Sequence, residues 1–290
     1  MSKKSRISFI GGDARLFYMT KKFAESGYEV CVYAVPMSKT LPNVTLCTSL
    51  REAMDFSDVI VGPVPFCKTQ LSITSAAKQP DLELKYFLSL LTPSHTVFGG
   101  AIPKSVKLYF TAHHIHYMDL MEIEEVAILN ATATAEGTIA EAITRSPINL
   151  SGSPALVLGY GNCGSVLAQK LKALDAKVSV SARRTAILAK ARCAGFETLP
   201  FDCLKHSLSE FLFIFNSIPA QYFNESLLKE VRKDATFIDI SSSPGCMDQE
   251  TASQLGIRFS LCLGLPGKYA PETSAKILAD AIAANLTPQS

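Results

Sequence analysis

The stretch LVLGYGNCGSVLAQKLKALDAKVSVSARR, residues 156–184, decides the fold. A strand-like apolar run ends at Gly159, glycines follow at 161 and 164, and apolar residues then recur at helical spacing before a second strand-like run, KVSVSA. A strand, a glycine turn, a helix and a strand form the setting in which G-x-G-x-x-G binds a dinucleotide; a close-packed turn without a ligand is the competing reading. Gly159 permits the tight turn, Gly161 leaves room for a pyrophosphate against the backbone, and Gly164 lets helix and strand approach. The free amides of the helix N-terminus attract the anion, so Gly159, Tyr160, Gly161, Asn162, Cys163 and Gly164 form the expected cofactor loop.

The far end of the stretch bears on which dinucleotide. An acidic residue there would accept from the ribose 2′-hydroxyl and repel a 2′-phosphate. Ser181, Arg183 and Arg184 stand in its place, and a hydroxyl with two guanidinium groups suits that phosphate. NADP is the expected cofactor, with NAD as the alternative, since arginines also begin solvated helices.

Working outward, FLFIFNSIP, TFIDIS and FSLCLG read as later strands of the same sheet. Upstream, RISFI, GGDAR, LFYMTKKFAESGY and EVCVYAV repeat the strand, turn, helix and strand order, and SLREAMDF, DVIVGPVP and HTVFGGAI continue it. The segment LYFTAHHIHYMDLMEIEEVAILN reads as a mixed connector. The fold class is α/β with two doubly wound domains: 1–130 as a substrate domain, 131–150 as a linker helix and turn, and 151–270 as the dinucleotide-binding domain. Residues 271–290 form an amphipathic helix expected to return to the first domain. A chain of 290 residues, 48% hydrophobic, can fill two cores, and a binding cleft between them is expected.

Composition removes other classes. Lys and Arg number 28 against 26 Asp and Glu, without basic blocks, so nucleic acid is not an expected partner. The eight cysteines include no C-x-x-C pair, which suits reduced thiols of a cytosolic protein. No apolar run approaches the roughly 20 residues of a membrane span, and the start is too short for a signal peptide. A cytoplasmic protein without a membrane partner is expected.

The segments ISFIGGDAR, ATAEGTIAEAI, VLGYGNCGSVLAQKL, VSARR, NSIP, FIDISSSPG and LGLPGKYAPETSAKIL together resemble, from end to end, the A subunits of bacterial dipicolinate synthase. The fingerprint is common to many dehydrogenases; GGDAR, AEGTI and LPGxxAPxTxxxIL in combination are specific. The resemblance implies a flavodoxin-like N-terminal domain joined to an NAD(P)-binding Rossmann domain, as in 2-hydroxyacid dehydrogenases and adenosylhomocysteine hydrolase. It implies an NADP-dependent oxidation, with dehydration, of a dihydropyridine dicarboxylate derived from 4-hydroxy-tetrahydrodipicolinate, in the mother cell during sporulation. A flavoprotein-like B subunit is the implied partner, and an oligomer is expected. One departure stands out: the family's arginine before the Pro-Gly of FIDISSSPG is Ser243 here. Whatever that arginine holds, another residue must hold in this chain.

A dicarboxylate calls for cations or backbone donors at two points. Gly12 and Arg15 of GGDAR, at a helix start, are the first candidate, with an Asp13–Arg15 capping pair as the alternative. Lys268 and Tyr269 lie beyond the last strand of the second domain, where α/β ligands bind. Lys268 is a candidate for substrate binding and catalysis, against the plain reading of a solvated loop lysine, and Thr273 is a weaker neighbour. Asn216, Ser217 and Pro219 follow a strand and are expected to face the nicotinamide, Asn216 also as a catalytic residue; a simple Asn-Pro turn competes. Ser242, with Ser241, follows the next strand and is expected to line the cleft.

Glu136, among small residues, could be desolvated into a proton acceptor, or could merely cap or pair within its helix. His113, His114 and His116 are not read as a metal site, because neighbours on a strand point apart and no set of ligands completes a tetrahedron. Two other functions compete. One is a nucleotide-binding scaffold for the B subunit; the other is a 2-hydroxyacid dehydrogenase with another substrate, whose late histidine is missing because none follows His206.

Overall fold

The computed structural model describes residues 5–67, 71–76 and 79–286. The chain divides into two compact units, Met1–Asn130 with Ala270–Ser290, and Ala131–Tyr269.

In the first unit the elements follow the expected alternation. They are β1 (Arg6–Ile10), α1 (Ala14–Glu25), β2 (Glu29–Tyr33), β3 (Val44–Leu46), α2 (Leu50–Phe56), β4 (Val59–Val61), α3 (Leu84–Leu90), β5 (Thr96–Gly99), α4 (Lys104–Ala112) and β6 (His116–Asp119). Every strand pair is parallel, in the order β3-β2-β1-β4-β5-β6. Without the three-residue edge strand β3, this is the flavodoxin-like order 2-1-3-4-5; with it, the order is that of a dinucleotide-binding sheet. The segment read as a mixed connector resolves into α4 and β6, which pairs with β5. Its histidines disguised the strand, because a sheet edge tolerates polar residues that a central strand does not.

Helix α5 (Glu124–Arg145) starts earlier than the linker read from residue 131, with Glu124 and Glu125 in its first turn and Arg145 in its last, signs that suit the helix dipole. It carries the chain into the second unit, whose elements are β7 (Pro154–Leu158), α6 (Asn162–Ala173), β8 (Lys177–Ala182), α7 (Thr185–Cys193), β9 (Glu197–Pro200), α8 (Leu204–Ser207), β10 (Phe213–Asn216), α9 (Glu225–Leu228), β11 (Thr236–Asp239), α10 (Gln249–Gln254), β12 (Arg258–Leu261) and α11 (Leu265–Tyr269). This sheet is also parallel, ordered β12-β11-β10-β7-β8-β9, so the winding direction reverses between β7 and β10. Ligands of open α/β sheets bind at that reversal, outside the carboxyl ends of the strands.

The sheets are buried on both faces, so their strands read as apolar runs without alternation. In the second unit one face packs Leu167, Leu171 and Ala168 of α6 with Ala135, Ile139 and Ala142 of α5; the other packs Leu204, Leu228, Phe223 and Ile257. The final helix, α12 (Pro271–Asn285), belongs to the first unit, where Ala275, Leu278, Ala279 and Ile282 close the core beside Met19 and Phe23 of α1. Lys22 of α1 pairs with Asp280 of α12, which also receives Lys276 at 2.9 Å. Among the described residues, no helix is long and apolar enough to cross a membrane.

Leu278 is fully buried. Leu278→Ala is expected to cost the first unit about 2–5 kcal/mol of stability. Urea denaturation followed by circular dichroism should show that loss; an unchanged midpoint would mean that α12 contributes nothing to this core.

Candidate functional site

The two units open with similar glycine turns that end differently. In the first, the Gly11 amide donates to Tyr33 O at 2.8 Å and the Gly12 amide to Thr74 O at 2.7 Å. Asp13 caps α1 by accepting the Arg15 amide at 3.0 Å, and the Arg15 guanidinium grips the same carboxylate through Nε (2.9 Å) and Nη2 (2.7 Å) while also donating to Val64 O. Arg15 is buried. The turn therefore supplies its own anion: Arg15 forms the capping pair with Asp13 in place of a free carboxylate anchor, and Gly12 donates its amide to Thr74 O.

In the second unit the helix end stays open. Gly161 is the N-cap of α6 and has no side chain to accept the first amides. A Cβ built on Gly161 would meet nothing within 4 Å, whereas one on Gly164 would lie 2.3 Å from Gly159 O and one on Gly159 2.5 Å from Ser217 Oγ. Gly159 has a φ of +92°, which a side chain would strain. Two of the three glycines are thus required by packing, and the middle one by empty space. A cleft of ≈ 370 Å³ opens there, lined by Gly159, Tyr160, Gly161, Ala182, Arg183, Arg184, Ile187 and Ile218. Asn162 is exposed on the first turn of α6; Cys163 is half-buried, and burial pushes its thiol up against the opposing bond to Thr134. Tyr160 turns into the core, edge-on to Phe196.

Arg183 and Arg184 stand on the rim of the cleft, but Ser181 does not. Ser181 is fully buried and its hydroxyl has no hydrogen-bond partner among the described residues. Strand alternation turns it inward, so the expected 2′-phosphate contact from Ser181 is withdrawn.

Asn216 is likewise inside. Its amide donates to Asp239 Oδ1 at 2.9 Å and Ile218 O at 3.1 Å, and its carbonyl accepts the Ile218 amide at 3.0 Å and the Tyr222 hydroxyl at 2.7 Å. Asp239 also accepts the amides of Ser241 at 2.8 Å and Cys246 at 2.7 Å. This network ties the loops after β10 and β11 together; the Asn216 side chain is spent on it and is not presented to a ligand. Ser217 sits under the glycine turn, donating to Leu158 O at 3.0 Å, and Pro219 is exposed. Ser241 is buried, whereas Ser242 and Ser243 are exposed. Burial pushes the Tyr222 phenol far above its ordinary value, with nearby Arg183 opposing.

A second polar cluster joins α5 to α11. Glu141, buried, receives Lys268 Nζ at 2.5 Å, Tyr269 OH at 2.8 Å, and Arg145 through Nε at 3.0 Å and Nη2 at 2.7 Å. Burial alone would raise this carboxyl, but the Lys268, Tyr269 and Arg145 donors together hold it below the usual range. The bonds to Glu141 and Tyr269 push the Lys268 ammonium up. Gly137 makes room for the arrangement, since a Cβ there would lie 2.8 Å from the Tyr269 ring. Sequence reasoning singled out the wrong acid of AEGTIAEAI. Glu136 is 56% exposed and paired with Lys170 at 2.9 Å, so the desolvation a base requires is missing. Glu141, flanked by alanines and four residues before Arg145, is the buried one.

His113 stacks on Tyr109 at 3.8 Å, and both His113 and His114 lie outside β6. Among the described residues, no group of three or more His, Cys, Asp or Glu is placed to hold a metal ion.

Comparison with known proteins bears on the fold and on the family resemblance. The family model for the N-terminal domain of the dipicolinate synthase A subunit matches residues 6–121. The A subunit of dipicolinate synthase from Bacillus subtilis (strain 168) is 29% identical over 279 residues, 96% of this chain and 94% of that protein. The crystal structure of the corresponding A subunit from Bacillus halodurans superposes with a TM-score of 0.88 at 27% identity, covering 98% of both chains. D-lactate dehydrogenase from Escherichia coli, at 13% identity and a TM-score of 0.68 over 96% of this chain and 95% of that one, shares the two-domain dehydrogenase fold. With the motifs, the first unit and the whole chain all pointing to one group of proteins, the chain is similar along nearly its whole length to dipicolinate synthase A subunits.

Proposed function

We propose that this chain is the oxidoreductase subunit of a dipicolinate synthase, binding NADP in its second unit and oxidising a dihydropyridine dicarboxylate derived from 4-hydroxy-tetrahydrodipicolinate. The observation that carries the reading is the uncapped N-terminus of α6, facing a cleft at Gly161 with two arginines on its rim. The α6 amides would hold the pyrophosphate, Ala182, Ile187 and Ile218 would border the adenosine, and Arg183 and Arg184 would meet its 2′-phosphate. NAD would leave both arginines without a partner. When bound, the nicotinamide supplies a hydride acceptor, and aromatisation of the ring favours the transfer.

Lys268 suits the substrate's carboxylate as a cation, not as a base. Glu141 fixes its ammonium and that of no other lysine among the described residues, and Tyr269 shares the same carboxylate oxygen. Glu141 is then a positioning residue, and Glu136 has no part in the chemistry. A flavoprotein-like B subunit is the proposed partner, following the naming of the relatives by subunit, in the mother-cell cytoplasm and as an oligomer.

The reading is tested by mixing purified chain, B subunit, substrate and NADP and following NADPH and the aromatic product by ultraviolet absorbance. Product with stoichiometric NADPH is expected; nucleotide binding without turnover would favour a scaffold. Gly161→Val meets open space, so it is expected to leave the melting temperature unchanged while weakening dinucleotide binding at least about tenfold by calorimetry, because a side chain there covers the helix amides. Unchanged affinity would remove the glycine cradle from the proposal. Lys268→Met should raise KM for the dicarboxylate more than it lowers kcat, while Glu136→Gln should leave both intact. Because Lys268 is raised from 10.5 and Glu141 lowered from 4.5, the pair stays ionised across the neutral range, and KM should show no step there that Glu141→Gln removes.

A further inference from the structure

Arg183 is held by aromatic rings, not by an acid. Its guanidinium carbon stands 5.2 Å from the centroid of Phe201 and 5.7 Å from that of Tyr222. Those rings lie 5.0 Å apart at an interplanar angle of 56°, forming an angled wall beside the cleft. Among the described residues Arg183 has no ion pair, in contrast to Arg15 on Asp13, Arg145 on Glu141 and Arg232 on Asp234.

The two ways of fixing an arginine have opposite consequences. A carboxylate occupies the N–H fork and neutralises it. A ring face attracts the cation through its quadrupole and leaves the N–H edges unused. An arginine held on a ring is also partly ordered in advance, so less side-chain freedom is lost when an anion binds.

The wall is itself anchored. Tyr222 is half-buried, its hydroxyl donating to Asn216 Oδ1 at 2.7 Å, and Asn216 is tied to Asp239 at 2.9 Å. Phe201, in the turn that follows β9, is half-buried. Three segments far apart in sequence thus converge on one guanidinium at the mouth of the glycine cradle.

We infer that Phe201 and Tyr222 determine cofactor specificity, by holding Arg183 on their ring faces with its N–H fork free for the 2′-phosphate of an adenosine nucleotide. This rests on the reading of the second unit as an NADP site and adds to it two residues that need not touch the phosphate. Asn216 acquires a different role from the one its sequence position suggested: it holds Tyr222, and through Tyr222 the arginine.

Calorimetric dissociation constants for NADP and NAD, measured on the full chain and its variants, test the inference. Wild type should prefer NADP, and Arg183→Ala should lower the preference at least as much as either ring variant, with Arg184 supplying what remains. Phe201→Leu and Tyr222→Leu should each lower the NADP-to-NAD preference roughly three- to thirtyfold, the span of a cation–π contact, with NAD affinity unchanged. Tyr222→Phe keeps the ring and should keep the preference. Phe201→Leu, at a half-buried site, carries the test if Tyr222→Leu does not fold. A wild type without preference for NADP overturns the cofactor reading and this inference with it. A preference that Arg183→Ala lowers but Phe201→Leu leaves intact overturns the aromatic role alone.

Discussion

The second unit depends on a helix whose first amides are left without a cap. Helix N-termini normally satisfy these groups with a side chain, and α1 does so with Asp13. At α6 the capping position is Gly161, no side chain bonds the first amides, and a Cβ at Gly164 would lie 2.3 Å from Gly159 O. An anion from outside is the natural complement to such an end. The same parallel architecture therefore occurs twice in the chain, but only the second copy presents an unsatisfied helix end at its strand reversal. The contrast comes down to one residue, an aspartate against a glycine.

Around that end the structure spends buried polar groups on rigidity. Asp239 and Asn216 bond to one another and to the loops after β10 and β11, and each amide they accept is one that the ends of strands would otherwise leave exposed or unmet. A network so fully connected fixes loop geometry without presenting its own atoms to a ligand. Glu141 plays the corresponding part at α11, gathering Lys268, Tyr269 and Arg145 on one carboxylate. Both acids are interior, and both govern residues closer to solvent.

This division explains what the sequence disclosed and what it withheld. The glycine spacing between apolar runs revealed the second sheet and its switch point, because packing demands glycine at 159 and 164 and the turn opens at Gly161. The first sheet was legible from its alternation of strands and helices, except for β6, where edge exposure let His116 open the strand. Site residues were harder. Ser181 and Asn216 lie at the right strand ends, but whether a side chain there turns inward depends on register, and register is set by the neighbouring strands. Glu136 and Glu141 sit on one helix, and only the packing of α11 on Gly137 decides which of them is buried. Phe201 and Tyr222 gave no local sign of a bond to Arg183, since that contact is made by the fold.

The chain leaves the first unit at Asn130 and returns to it at Ala270, so the first core is assembled from segments on either side of the second unit. Synthesis proceeds from the amino terminus, and the residues of the second unit leave the ribosome before α12 exists. Met19 and Phe23 of α1 must wait, uncovered, until Leu278 and Ile282 arrive. The later-coded unit can thus mature first, and the apolar flank of α1 is the surface most in need of a chaperone's protection in a nascent chain.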